Sequence, residues 1–188
     1  MTKRFLTLFL ALIIGVLPMT VETAESKPLL DPENALFLDL PAGRVTIQLR
    51  PDLAPGHVAR IKELVRQGFY DGLAFHRVIP GFMAQTGDPR GDGTGGSGKH
   101  LKAEFSKTPH VRGTVSMARA GDPNSGDSQF FICFDNANYL DGKYTVWGQV
   151  VEGMDAVDKI KMGSQLNNGK VTDPTKIVKL RVAADVKE

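Results

Sequence analysis

The sequence predicts a mostly β chain: a closed antiparallel barrel with two helices over its open ends. Two observations carry that expectation. Seven or eight short segments read as strands, and only two stretches keep a helical apolar spacing. No regular strand–helix alternation appears, which disfavours a doubly wound parallel sheet. Closure into a barrel removes exposed strand edges, and helices can cover the core left open at its ends. The 188 residues, 41% apolar and 23% charged, suffice for one sizeable core and one domain.

Residues 1–24 read as a targeting segment. Lys3 and Arg4 precede an apolar run, residues 5–17, which Pro18 ends. That run is too short for an ordinary spanning helix. Cleavage after Ala24 puts Glu22 where a small residue is preferred; earlier cleavage and an uncleaved membrane anchor are the alternatives. Export with a single cysteine fits a bacterial periplasm. The expected location is therefore the periplasm, with no stable membrane insertion once the segment is removed. Residues 25–34 are a polar lead-in, and the folded domain is expected over residues 35–188.

Within that domain, residues 35–40 and 44–50 read as a hairpin around Pro41, Ala42 and Gly43. Pro55 opens a helix, where its missing N–H costs nothing. Val58, Ile61, Leu64 and Val65 form its apolar stripe, and Gly68 closes it. Residues 75–85 are a strand run broken at Pro80 and Gly81. By strand parity Phe75, Arg77 and Ile79 share one face, with His76 and Val78 on the other. Residues 87–98 form a Gly-rich loop, and residues 103–108 are ambiguous. Residues 113–118, 128–134 and 144–150 read as strands, the second of them central. Asp141 and Gly142 punctuate a turn. Met154, Val157 and Ile160 suggest a short second helix, and residues 176–182 a last strand.

Several function classes are disfavoured. The formal charge is +2, and losing Lys3, Arg4 and Glu22 leaves about +1; the basic residues do not cluster, so no nucleic-acid partner is expected. Cys133 lies in an apolar run and reads as an inert buried thiol. Gly91, Gly93 and Gly96 match GxGxxG but lack a strand before and a helix after. His100 stands where a phosphate loop needs Ser or Thr. A flexible loop is the better reading. His57, His76, His100 and His110 lack metal-ligand spacing and read as structural or surface histidines. Ser116 is not in a GxSxG elbow. No metal and no cofactor are expected.

Arg77 stands apart. Residues 75–85 place one cation and one amide inside an apolar run, and a second apolar run follows at residues 129–134. Together these runs are expected to build one pocket, apolar at its floor, with Arg77 and Gln85 at its wall. The bland alternative is a strand arginine reaching solvent. A fixed guanidinium against an apolar floor suits an uncharged, partly apolar ligand with one carbonyl to hold.

Three ordered blocks carry a family resemblance. The first is Phe75-His76-Arg77-Val78-Ile79-Pro80-Gly81-Phe82-Met83-Ala84-Gln85. The second runs from Gly113-Thr114-Val115-Ser116-Met117-Ala118 through Gln129-Phe130-Phe131-Ile132. The third is Tyr139-Leu140-Asp141-Gly142-Lys143-Tyr144 through Gly148. Over roughly residues 35–182 the chain resembles the cyclophilin-type peptidyl-prolyl cis–trans isomerases, and the lead segment suggests a bacterial exported type. The resemblance implies a closed eight-stranded antiparallel barrel capped by two α-helices, and rotation of X–Pro bonds without a cofactor. Arg77 aligns with the family's catalytic arginine. Phe82, Met83, Phe131 and Leu140 align with the proline pocket, and Gln85 and Gln129 with polar groups of the groove. Ala118 and Arg119 align with the peptide path, and Tyr144 could add a hydroxyl.

Three positions depart from the eukaryotic cytosolic pattern. Arg119 replaces an asparagine, Tyr139 a tryptophan used in binding cyclosporin, and Tyr144 a histidine. The expected partners are proline-containing segments of unfolded or exported proteins, bound by a monomer. The competing expectation is a non-catalytic, chaperone-like module that uses the same groove.

Overall fold

A computed structural model describes residues 30–187. The expected targeting segment, residues 1–24, and residues 25–29 of the lead-in lie outside the described residues. Eight antiparallel strands form one sheet: β1 Ala35–Leu40, β2 Gly43–Leu49, β3 Arg77–Ile79, β4 Met83–Thr86, β5 Thr114–Met117, β6 Phe130–Cys133, β7 Val146–Glu152 and β8 Lys179–Val182. Their order across the sheet is β3-β4-β6-β5-β7-β2-β1-β8. Two helices, α1 Pro55–Arg66 and α2 Met154–Asp158, complete the set expected from the apolar spacing.

The expectation of a closed barrel is corrected. The sheet is a curled half-barrel, and its edge strands β3 and β8 share no ladder. The free edge of β3 is taken instead by the segment before β8. Val78 N–H donates to Gly169 O at 2.8 Å, Gly163 N–H donates to Val78 O at 2.9 Å, and Val171 N–H donates to His76 O at 3.1 Å. Further along, Phe75 N–H donates to Thr175 O and Val178 N–H to Asp39 O on β1. The edge is thus covered by loop backbone, which satisfies it without a strand. Gly169 is required for that approach: a Cβ there would come 2.5 Å from Ile79 Cγ1 and 3.0 Å from Val78 O.

The run at residues 75–85 is likewise corrected from one interrupted strand to a hairpin. β3 and β4 pair Arg77 with Gln85, Val78 with Ala84 and Ile79 with Met83. Pro80 and Gly81 form the turn, with Phe82 N–H donating to Ile79 O. Phe75 precedes the strand, so parity does not reach it. Its ring joins the main core rather than the face of Arg77.

α1 is built as its sequence implies. Val58, Ile61, Leu64 and Val65 are buried in the main core. Gly68 closes it: Gly68 N–H donates to Val65 O and Phe69 N–H to Leu64 O, the paired bonds of a Schellman end. Its N-cap residue, Ala54, offers no side-chain bond. Glu104, from the stretch with no clear sequence signal, does the capping. Its carboxylate accepts from Gly56 N–H and His57 N–H, both at 2.9 Å. A carboxylate at a helix N-terminus also suits the helix dipole.

The strands' period of two sorts side chains into separate clusters. Val78, Ala84, Val115, Phe130, Ile132 and Trp147 face the main core with α1. Met83, Phe131, Cys133, Ala137 and Leu140 form a smaller cluster on the other face. The smaller cluster is the floor of the candidate site.

Candidate active site

One row of residues crosses four strands. Register pairs Arg77 on β3 with Gln85 on β4, Gln85 with Phe131 on β6, and Phe131 with Ser116 on β5. Because the sheet is pleated, all four project to the same face. Chain neighbours one step along β4 and β6, Met83 and Cys133, are paired on that face too. Residues far apart in sequence are brought together by register alone.

The pocket above this row has a volume of about 280 Å³ and is lined by Arg77, Phe82, Met83, Gln85, Ala118, Arg119, Phe131, Tyr139, Leu140 and Tyr144. Phe131 and Tyr144 meet edge to face at 5.9 Å between ring centroids, and Phe82 packs against Tyr139 at 5.7 Å. Of the ten site residues expected from the sequence, nine line this cavity. The tenth, Gln129, lies in an adjoining hollow of about 550 Å³ together with Gln85, Ala118, Arg119 and the Gly-rich loop.

Arg77 is half-buried at the wall. Its Nη1 donates to Gln85 Oε1 at 3.1 Å, its Nε to Asn168 O at 3.1 Å, and its Nη2 to Asn168 Oδ1 at 3.0 Å. Burial pulls the guanidinium below its ordinary value, while Tyr144 and Tyr139 act in the opposite sense. It remains a cation with fixed donors. Gln85 in turn donates to Gln129 Oε1 at 2.9 Å. Gln129 Nε2 donates to Gly95 O at 2.8 Å and Gly93 O at 3.1 Å.

That last link gives the Gly-rich loop a structural task. Residues 87–90 separate Gly91 from the end of β4 and no helix follows, so a dinucleotide or phosphate loop is not formed. The loop is shaped by Asp88, whose carboxylate accepts from the backbone N–H groups of Arg90, Asp92 and Gly93. Among the described residues no three His, Cys, Asp or Glu side chains converge as a metal site.

Two of the departures from the family pattern contact each other. Arg119 lies over the Tyr144 ring, 4.5 Å from its centroid, and donates to Lys143 O and Ala120 O. A cation–π contact thus joins the two substituted positions at the rim. Tyr139, the third, is 60% exposed.

Behind Phe131 lies a network without a sequence signal. His110 is fully buried and stacks on Phe131 at 6.2 Å. Its Nδ1 is 2.9 Å from Asp141 Oδ1 and its Nε2 is 3.0 Å from Ser116 Oγ. The order of groups imitates a hydrolytic triad, but Ser116 is fully buried and its Oγ also lies 3.0 Å from Thr145 O. No substrate reaches it. Cys133 is also buried, and burial pushes its thiol up to about 12, in keeping with an inert side chain. His57 and His76 are buried as well, which makes them structural; His100 is exposed.

The family model for cyclophilin type peptidyl-prolyl cis-trans isomerase/CLD matches residues 37–182. This chain belongs to the cyclophilin-type peptidyl-prolyl cis-trans isomerases. A "Probable peptidyl-prolyl cis-trans isomerase" of Brucella suis is 57% identical, over 95% of this chain and 94% of that one. Peptidyl-prolyl cis-trans isomerase B of Bacillus subtilis is 42% identical, over 74% of this chain and 98% of that one. Among solved structures, cyclophilin AquaCyp293 from Hirschia baltica matches with a TM-score of 0.75 at 31% identity, covering 84% of this chain and 77% of that one. A Cryptosporidium parvum cyclophilin type isomerase, solved in the presence of the dipeptide Ala-Pro, matches with a TM-score of 0.71 at 27% identity, covering 79% of this chain and 98% of that one. The cyclophilin assignment supports peptidyl-prolyl isomerase activity, and the curled eight-stranded sheet with two helices is the family fold.

Proposed function

We propose that this cyclophilin rotates X–Pro bonds in exported or folding polypeptides, with Arg77 as the catalytic group. One observation carries the proposal: a guanidinium held by three hydrogen bonds to oxygen at the wall of a small pocket with an apolar floor. Amide resonance opposes rotation with a barrier of about 18–20 kcal/mol. No bond is broken in the reaction, so a nucleophile has no task.

The barrier falls if the site favours a twisted amide over either planar form. In the twisted state the prolyl nitrogen regains a lone pair. Arg77 donates to that nitrogen, or to the adjacent carbonyl as it turns. The donor is already oriented, so little reorganisation is needed at the moment of reaction. Phe82, Met83, Phe131 and Leu140 hold the proline ring. Gln85, Gln129 and the main chain beside Ala118 and Arg119 hold the peptide while its other end rotates. Tyr144 is pinned by Arg119 and completes the rim.

Export rests on Lys3 and Arg4 before the apolar run at residues 5–17. Among the described residues no helix is long and apolar enough to cross a membrane. A non-catalytic module is not favoured, because the relatives are named as isomerases and the pocket carries its cation.

The test uses residues 25–188 and a proline peptide in an isomerisation assay. Arg77→Ala is expected to lose turnover while keeping peptide affinity. Near-full turnover in that variant overturns the mechanism. Expression of the full chain in a bacterium is expected to yield a periplasmic product starting near residue 25. A full-length cytoplasmic product alone overturns export.

A further inference from the structure

Arg77 has five N–H donors; three are engaged by oxygens, and Nη1 also lies 3.9 Å from the weak acceptor Met83 Sδ. Only one of the three bonds goes to the strand partner that register supplies, Gln85. The other two go to Asn168, which lies 91 positions away in a loop. Arginine offers donors alone, so the Asn168 amide must present its oxygen, and the orientation of that amide follows from chemistry.

The loop is built to hold this residue. Asn168 ends the 3-10 turn Gln165–Asn167 with φ 50° and ψ 36°, in the left-handed region. Few residues other than glycine tolerate that conformation, and asparagine is the foremost of them. Gly169 N–H donates to Ser164 O at 2.8 Å and Lys170 N–H to Asn167 O at 3.0 Å, which closes the loop on itself. The loop then grips β3 on both sides of Val78, through Val78 N–H to Gly169 O and Gly163 N–H to Val78 O. Val78 is the chain neighbour of Arg77. The base of the clamp and the residue it clamps are therefore fixed to the same point of backbone.

Two demands meet at position 168. The backbone must be left-handed, and an oxygen must reach Nη2 while the main-chain oxygen reaches Nε. Glycine would meet the first demand and not the second. A longer or branched side chain would meet neither without strain.

We propose that Asn168 is a positioning residue for the isomerase reaction. Its two oxygens fix the plane of the Arg77 guanidinium and leave for the turning amide one free N–H and one held only by the weak acceptor Met83 Sδ. The proposal rests on the reading of Arg77 as the catalytic group. Asn168 itself touches no substrate in this scheme; it acts through the arginine.

Asn168→Gly keeps the left-handed backbone and the main-chain oxygen, and removes the side chain whose Oδ1 holds Nη2. The expected result is a fall of about three- to tenfold in kcat/KM, all of it in kcat. KM for a proline peptide is expected to be unchanged, because the apolar floor is untouched, and Tm to move by less than about 4 °C. Rotation about the Arg77 Nε–Cζ bond, read by NMR of the guanidinium, is expected to speed up. Asn168→Asp keeps an oxygen at the same reach and is expected to retain at least half of wild-type kcat. A wild-type kcat in Asn168→Gly, unchanged guanidinium rotation, or an Asn168→Asp as impaired as the glycine variant overturns the proposal. Arg77→Ala separates the two layers. If it is inactive while Asn168→Gly is wild type, the clamp alone fails; if it is fully active, the reading beneath fails with it.

Discussion

Arg77→Lys keeps the positive charge and removes the geometry. The wild-type guanidinium is planar and is held on three sides, by Gln85 Oε1, Asn168 O and Asn168 Oδ1, at 3.0–3.1 Å. A lysine ammonium is a rotating point charge that cannot reach those three oxygens at once. If catalysis needs only a cation near the pocket, lysine serves. If it needs oriented donors, lysine fails. Removing one preorganised donor from a site of developing charge costs roughly 10²–10³-fold in turnover. Arg77 is half-buried rather than enclosed, so the lower end applies: about 10²-fold in kcat/KM, or about 2.7 kcal/mol of transition-state stabilisation. Stability is expected to change far less. The lost bonds run to neutral oxygens beside a half-exposed cation, where water can replace them. The assay is isomerisation of an X–Pro peptide, with urea unfolding run beside it. A variant within threefold of wild type, or a loss that follows the unfolded fraction, refutes oriented donation by Arg77.

Three further outcomes are expected. Phe131→Ala empties the centre of the pocket floor and should cost about 3 kcal/mol in urea unfolding, the low end for a buried phenylalanine, because the cavity opens to solvent; in the folded fraction KM for proline peptides should rise. His76 is buried with no well-formed hydrogen bond on either ring nitrogen, and burial holds it below its ordinary value of 6.5, with Arg77 adding to the effect and Asp88, the Ala74 backbone and Asp92 opposing it. Its depressed value means the unfolded chain takes up the proton first, so stability is full above 6.5 and is lost as pH falls toward the folded value. Urea midpoints should therefore decline below pH 6.5 in the wild type and flatten in His76→Leu; equal slopes would refute the assignment. Tyr139 lacks the indole N–H and area of a tryptophan at this rim position. Cyclosporin should bind weakly and Tyr139→Trp should tighten it; nanomolar affinity in the wild type refutes that expectation.

The sequence by itself determined the elements and their faces. Alternation in the strands, the Pro55 start and the Gly68 stop are local signals, set by backbone sterics and by the period of side chains. They were enough to place Arg77 and Ile79 on one face and Val78 on the other. The same signals, with the three motif blocks, were enough to mark Arg77 and the pocket residues around it. Local parity failed at Phe75, because a three-residue strand begins two positions later. It also could not tell a closed barrel from an open one. Closure depends on whether two edges meet, and here a loop occupies the edge of β3 first.

Only tertiary structure decided which residues meet. The row Arg77, Gln85, Phe131 and Ser116 follows from strand register, which packing and turn geometry set across the sheet. Glu104 caps a helix from 48 positions away, and Asn168 reaches Arg77 from 91. No periodicity marks either residue, because neither contact belongs to a repeating element. A hydrogen bond between loop and strand is a property of two places in space, and the chain order between them carries almost no trace of it.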